Sequence, residues 1–183
     1  MTFQVHTPDS APKGAQDILN GAKQKYGFVP NLLGVMSEAP ALVKAYTTLN
    51  GIFDESSFSP SERQVVLLTV SYDNGCEYCV AAHSVIAGMQ KVPDEVIAAI
   101  RDNSPMPDEK LEALRQFTRK VVQTRGMPEE TDVKAFLDAG YGRQQILEVV
   151  LGVGVKILSN YTNHMAETPL DEAFSDQAWS KAA

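Results

Sequence analysis

Cysteine is scarce in this sequence, and its scarcity excludes one class of protein. Only Cys76 and Cys79 occur in 183 residues, too few for a small secreted domain held together by disulfides. The 12 glycines and 10 prolines are ordinary in number, which excludes collagen-like and low-complexity chains. A chain of this length can bury a core large enough to fold without cross-links.

Clusters of basic residues and long hydrophobic runs are also lacking. The 16 Lys and Arg stand against 23 Asp and Glu, so a nucleic-acid partner or an anionic membrane surface is not expected. The longest apolar stretch, 146–158, is interrupted by Glu148 and Lys156 and is too short to cross a bilayer. Residues 1–14 show no signal-peptide pattern, so we expect a cytoplasmic protein.

Alternating strand patterns are missing as well, and apolar residues recur with helical spacing instead. The sequence therefore predicts an all-α helical bundle forming one domain over residues 1–183, with a core of about 13–168. Residues 170–183 are polar and predict a loosely held tail. Helices are predicted over 15–26, 31–36, 41–53, 76–89, 94–101, 108–124, 129–139 and 143–164, and from Pro60 to a turn at 73–75.

The two cysteines lie three residues apart, and His83 follows the second by four. On a helix turning about 100° per residue, the three side chains share a stripe about 60° wide. A helix N-terminus stabilises a thiolate, and an imidazole can accept the thiol proton. A second thiol nearby can resolve an oxidised sulfur into a disulfide. The i, i+4 spacing of Cys79 and His83 favours Cys79 as the attacking thiol and Cys76 as the resolving one.

Two other interpretations of the pair stay open. Cys76, Cys79 and His83 could bind zinc if His164 or Asp73 completed the ligand set. A zinc-binding or redox-sensing interaction module would then replace an enzyme. Alternatively, the cysteines could be a reduced structural pair among small core residues.

The residues around the cysteines resemble a known family. Ser61-Glu62-Arg63 and Asn74-Gly75-Cys76-Glu77-Tyr78-Cys79-Val80-Ala81-Ala82-His83 are similar to the AhpD-like branch of the carboxymuconolactone decarboxylase family. A weaker similarity extends over 27–31 and 160–164. The resemblance implies an all-helical fold, an obligate homo-oligomer (dimer, trimer or hexamer) and an alkylhydroperoxidase-like thiol peroxidase or disulfide oxidoreductase.

The same resemblance implies how such an activity would turn over. A hydroperoxide is the expected substrate, and no cofactor is needed because sulfur carries both electrons. The disulfide is reopened by a dithiol or thioredoxin-like electron donor, or by a peroxiredoxin partner. Lactone decarboxylation, the other activity of the wider family, does not need a cysteine pair and is the alternative reaction.

The chain departs from the family pattern at one position. A glutamate that joins the histidine in a proton relay is expected twelve residues before the first cysteine, where this sequence has Gln64. Glu62 is the nearest acid, but two helical positions rotate it by about 200°. Glu62 is therefore a candidate either for the relay or for a capping box with Ser59. Asn160, Tyr161 and His164 form a second polar cluster of candidate site residues.

Overall fold

The computed structural model describes residues 3–181, and within this range it contains helices and no strands. The predicted all-α fold is confirmed. The helices are α1 (Gln16–Tyr26), α2 (Asn31–Met36), α3 (Pro40–Asp54), α4 (Pro60–Asp73), α5 (Glu77–Met89), α6 (Asp94–Arg101), α7 (Glu109–Gln123), α8 (Glu130–Asp138) and α9 (Arg143–Ala166), followed by a 3₁₀ helix (Glu172–Gln177). No helix in residues 3–181 is long and apolar enough to cross a membrane.

Local sequence signals determine where several helices begin and end. At the start of α4, Ser59 Oγ accepts from the Glu62 backbone N–H at 3.2 Å, and the Glu62 carboxylate accepts from the Ser59 N–H at 2.8 Å. This reciprocal capping box satisfies two backbone donors that the first turn cannot pair internally. Gly27 ends α1 in the left-handed conformation, with φ of 83°, which a side chain would disfavour.

The core is built around α4, which packs against α5, α6, α7 and α9. Val65 and Val66 of α4 are fully buried in this core. Helix α9 approaches α3 and α4 closely at Gly152, where an added Cβ would lie 2.7 Å from Val66 Cγ1 and 3.0 Å from the Phe53 ring. The missing side chain therefore allows the polar face of α9 to reach the cysteine helix.

The C-terminal segment is held more firmly than its polar composition predicts. The Phe174 ring is buried, with its centroid 5.9 Å from that of Phe28 and 6.0 Å from that of Tyr78. Trp179 packs on Tyr72 and donates its Nε1–H to the Arg101 carbonyl at 3.1 Å. The predicted loose tail is thus wrong for residues 170–181, which we call the C-terminal strap; residues 182–183 lie outside the described range.

Candidate active site

The two cysteines lie at the start of α5, where the chain turns sharply out of α4. Gly75 adopts φ of 68°, and the Cys76 N–H bonds to the Ser71 carbonyl at 2.9 Å. Helix α5 begins at Glu77, one residue later than predicted, so Cys76 is its N-cap residue. Cys79 lies in the first turn. Both cysteines are free thiols, 0% and 1% exposed respectively. The Cys-x-x-Cys pair is therefore buried at a helix N-terminus.

Asn163 of α9 connects the two sulfur atoms. Its Nδ2 donates to Cys79 Sγ at 3.2 Å and lies 3.6 Å from Cys76 Sγ. Asn160, one turn earlier, accepts from Asn74 Nδ2 through its Oδ1 at 2.9 Å and so ties α9 to the turn before Cys76. The structure therefore brings the predicted candidate Asn160 to the cysteines and adds Asn163, which the sequence analysis did not single out.

His83 pairs with Gln64 rather than with an acid. His83 Nδ1 lies 3.0 Å from Gln64 Oε1, and Gln64 Nε2 donates to Gln90 Oε1 at 3.2 Å. This second bond directs the Gln64 carbonyl at His83, so the network assigns the imidazole proton to Nδ1 and leaves Nε2 as a proton acceptor. Burial, reinforced by the charge of Lys156, lowers the pKa of His83 well below its usual value. The imidazole is therefore neutral near pH 7.

Glu62 lies away from His83, and its contacts are those of a capping residue. Besides closing the capping box, its carboxylate lies 3.6 Å from Lys110 Nζ. Two other candidates also lie apart from the cysteines: Tyr161 is 53% exposed, and His164 is exposed in the last turn of α9. Among the predicted site residues, Cys76, Cys79 and Asn160 lie at the end of α9 that carries Asn163, and His83, one turn after Cys79 on α5, pairs with Gln64.

Helix α9 contributes a polar face that the sequence analysis did not recognise. Lys156, Ser159, Asn160 and Asn163 follow the i, i+3, i+4, i+7 spacing of one helix face, and all four are buried. Lys156 is 0% exposed, and its Nζ has no hydrogen-bond partner among residues 3–181. The sequence feature that could have revealed this face is a lysine and three polar residues at helical spacing, in or just after a long apolar stretch.

The two thiols have different acidities. Burial opposes the charged form of Cys79, but the neighbouring Cys76 thiol, the charge of Lys156 and the nearby polar side chains of Ser159 and Asn160 together lower its pKa well below the usual value. The hydrogen bond to Cys79, followed by burial, raises the pKa of Cys76. The arrangement therefore favours loss of the proton from Cys79 over loss of the proton from Cys76.

The additional ligands considered for zinc do not gather around the cysteines. The Asp73 carboxylate lies 3.3 Å from Arg119 Nε, and His164 faces solvent at the far end of α9. Within residues 3–181, no three His, Cys, Asp or Glu side chains are grouped in a way that could hold a metal ion.

Comparisons with known proteins relate this site to a family. Residues 40–120 match the carboxymuconolactone decarboxylase family. The fold is similar to that of a protein from Ralstonia eutropha JMP134 described as an alkylhydroperoxidase AhpD core and uncharacterized peroxidase-related protein (TM-score 0.84, 20% identity, 94% of this chain and 93% of that one). It is also similar to a peroxidase-related protein from Silicibacter sp. TM1040 (TM-score 0.79, 19% identity, 95% and 92% covered).

A third similar structure carries a different description. The debrominase Bmp8, solved as its C82A variant in complex with 2,3,4-tribromopyrrole, gives a TM-score of 0.76 at 20% identity, over 97% of this chain and 96% of that one. No curated protein has significant sequence similarity to the chain. At such low identities the structural similarity establishes a shared fold and leaves the reaction to be argued from the site.

Proposed function

We propose that this protein is a thiol-dependent peroxidase or disulfide oxidoreductase. The match of residues 40–120 to the carboxymuconolactone decarboxylase family and the likeness of the fold to an alkylhydroperoxidase AhpD core support the proposal. The observation that carries the proposal is the buried pair of free thiols linked by Asn163, whose amide lies 3.2 Å from Cys79 Sγ. A donor at that distance stabilises a thiolate more than a thiol.

The proposed cycle uses the two sulfurs in sequence. The Cys79 thiolate attacks the terminal oxygen of a hydroperoxide ROOH, the O–O bond breaks, and the alkoxide leaves with a proton as ROH. Cys79 is then a sulfenic acid. Cys76 attacks its sulfur, releases water and closes the Cys76–Cys79 disulfide. An external dithiol reopens the disulfide by exchange, so that two electrons pass from the dithiol to the peroxide in each turnover.

The neighbouring side chains have separable roles in this cycle. His83 Nε2 accepts the Cys79 proton, directly or through water, and passes it on because a neutral amide partner cannot stabilise the imidazolium. Asn163 holds the two sulfurs in place for the resolving step. Because Cys79 is only 1% exposed, a peroxide reaches it when the packing around α5 opens locally.

The test is hydroperoxide consumption with dithiothreitol as the electron donor, in the wild type and in Cys79→Ser and Cys76→Ser. We expect Cys79→Ser to lose the dithiol-dependent reaction. Cys76→Ser should form a sulfenic acid at Cys79, trapped by dimedone and located by mass spectrometry, and should turn over at least tenfold more slowly with the dithiol. Equal rates in the wild type and Cys79→Ser would refute the proposal.

Reductive debromination is a second candidate, favoured by the likeness to the debrominase over nearly the whole chain. The same dithiol could supply two electrons to a carbon–bromine bond, giving the debrominated product, bromide and the disulfide. Bromide release from 2,3,4-tribromopyrrole by a wild type that consumes no hydroperoxide would move the assignment to this reaction. Lactone decarboxylation would instead survive Cys79→Ser, because it needs no thiol pair.

A further inference from the structure

The buried thiolate of the proposed cycle needs a counter-charge, and the predicted proton relay does not provide one. An uncompensated charge in a protein interior is costly because it loses its hydration. The partner of His83 is the neutral amide of Gln64 at 3.0 Å, and His83 itself is neutral near pH 7. The His83–Gln64 pair therefore orients a proton acceptor but leaves the Cys79 charge unbalanced.

Lys156 is placed to balance that charge. It lies one and two turns before Asn160 and Asn163 on the same buried face of α9, and Asn163 contacts Cys79 Sγ. The ammonium is fully buried, and within residues 3–181 no oxygen or nitrogen accepts a hydrogen bond from it. A buried, unpaired cation is as unfavourable as a buried, unpaired anion, but the two compensate when both are present.

We propose that the buried ammonium of Lys156 is the counter-ion of the Cys79 thiolate and supplies the charge that the Gln64–His83 pair lacks. This proposal rests on the proposed function, because it assigns a stabilising residue to the same thiolate. The direction of the thiol acidities agrees with it. Burial opposes the Cys79 thiolate, whereas the Cys76 thiol and the Lys156 charge are the largest contributions lowering the pKa of Cys79.

Several titratable groups lie on the elements around Cys79, and their titrations must be distinguished from that of Cys79 in any pH experiment. Tyr46 comes from α3, where burial and the nearby Cys79 charge raise its pKa, so its phenol stays neutral. From α5 come Cys76, His83 and Tyr78, the last with a pKa raised by burial and by Asp171. Lys156 comes from α9. Near pH 7 the charge balance therefore depends on Cys79 and Lys156.

The experiment measures the thiolate directly, by its ultraviolet absorbance near 240 nm in the fully reduced protein as pH is varied. The Cys79 signal is obtained by subtracting the Cys79→Ser variant. We expect Lys156→Met to move the Cys79 titration to higher pH by about one unit or more. At a pH below the midpoints of both proteins, the variant should then hold a roughly tenfold smaller fraction of thiolate than the wild type. Lys23→Met, the same substitution at an exposed site on α1, should titrate as the wild type.

Three further variants distinguish the charge of Lys156 from its packing and from the role of His83. Lys156→Arg keeps the charge and should retain most of the wild-type titration, whereas Lys156→Gln should behave like Lys156→Met. His83→Asn should leave the titration near that of the wild type.

Specific outcomes would overturn the proposal without touching the proposed function. Wild-type titration in both Lys156→Met and Lys156→Gln would show that Lys156 does not stabilise the thiolate. A shift in His83→Asn as large as that in Lys156→Met would assign the charge to the histidine instead. The enzyme proposal is tested by a separate assay, which compares peroxide consumption in the wild type and in Cys79→Ser. A failure of that proposal can therefore be told apart from a failure of the counter-ion proposal.

Discussion

At the scale of single residues, Gln64 has the largest consequence for the chemistry. It occupies the position where the family pattern has a glutamate, and its carbonyl lies 3.0 Å from His83 Nδ1. An amide accepts the imidazole N–H as a carboxylate would, but it adds no negative charge to stabilise an imidazolium. Burial and the charge of Lys156 lower the pKa of His83, and with no carboxylate to oppose them the folded protein resists protonation at this site.

This resistance predicts a pH-dependent stability. The pKa of His83 is lower in the folded chain than the value of about 6.5 in the unfolded chain, so the unfolded state binds more protons as pH falls below 6.5. The stabilisation is complete above that pH and is lost on acidification. Between pH 6.5 and 5.5 we expect the wild type to lose about 1 kcal/mol of unfolding free energy from this group.

Urea denaturation at the two pH values, in reducing buffer, measures the effect. His83→Asn removes the titrating group, so its stability should change about 1 kcal/mol less over the same interval. His6 and His164 are present in both proteins and cancel in the comparison. An identical pH dependence in the wild type and His83→Asn would contradict a neutral, buried His83.

At the scale of elements, the C-terminal strap fixes the outer side of α5. Tyr78, which lies between the two cysteines, donates its hydroxyl proton to Asp171 at 2.5 Å, and Asp171 also accepts from the Asn31 backbone N–H at 3.0 Å. Phe174 fills the space between the Tyr78 and Phe28 rings. The strap thus joins the cysteine helix to α2 through one residue of the Cys-x-x-Cys motif.

Removing the Phe174 ring should loosen the strap and expose the thiols. We expect Phe174→Ala to lower the unfolding free energy by about 3 kcal/mol, because a large buried side chain leaves a cavity. Iodoacetamide labelling of the reduced, folded protein should become at least fivefold faster at Cys79, through local opening rather than global unfolding.

Phe117→Ala is the matched control for this prediction. Phe117 is also buried, but it stacks on Phe136, between α7 and α8, away from the strap. The Phe117→Ala substitution should lower the unfolding free energy by an amount comparable to that of Phe174→Ala. Labelling of Cys79 in the folded protein should stay near the wild-type rate. Equal acceleration in both variants would mean that the thiols become reactive only through global unfolding.

At the scale of the whole molecule, α9 has a second apolar face that remains uncovered in the single chain. Leu147 is 70% exposed, and Val150, Tyr161 and Met165 lie on the same side, opposite the buried polar face. Monomeric soluble proteins rarely leave such a stripe open along a 24-residue helix. The stripe agrees with the homo-oligomer that the family resemblance implies.

We therefore predict that Leu147→Asp dissociates the oligomer. A charge placed in an apolar interface between subunits is costly, so the variant should sediment as a smaller species than the wild type at the same concentration. Met127→Asp, at a similarly exposed methionine between α7 and α8, should leave the assembly unchanged. A monomeric wild type across micromolar concentrations would refute the prediction.

Features that depend on neighbours along the chain could be predicted from the amino-acid order alone. Helix bounds were predicted to within about two residues for most helices, because periodicity, Pro at the first turn and the Ser59–Glu62 capping box act locally. The cysteine pair and His83 could be placed on one stripe for the same reason: three positions on one helix have a known angular relation. The family pattern further marked Gln64 as the unusual residue.

The distant side chains that meet that stripe are known only from the packing of the folded chain. Gln64 reaches His83 because α4 packs on α5, and Asn163 reaches both sulfurs because α9 approaches closely at Gly152. The strap is ordered by aromatic contacts to residues about 100 to 150 positions away, which its own polar sequence does not reveal. Packing between helices depends on the complementarity of whole surfaces, and one-dimensional spacing carries no information about the partner surface.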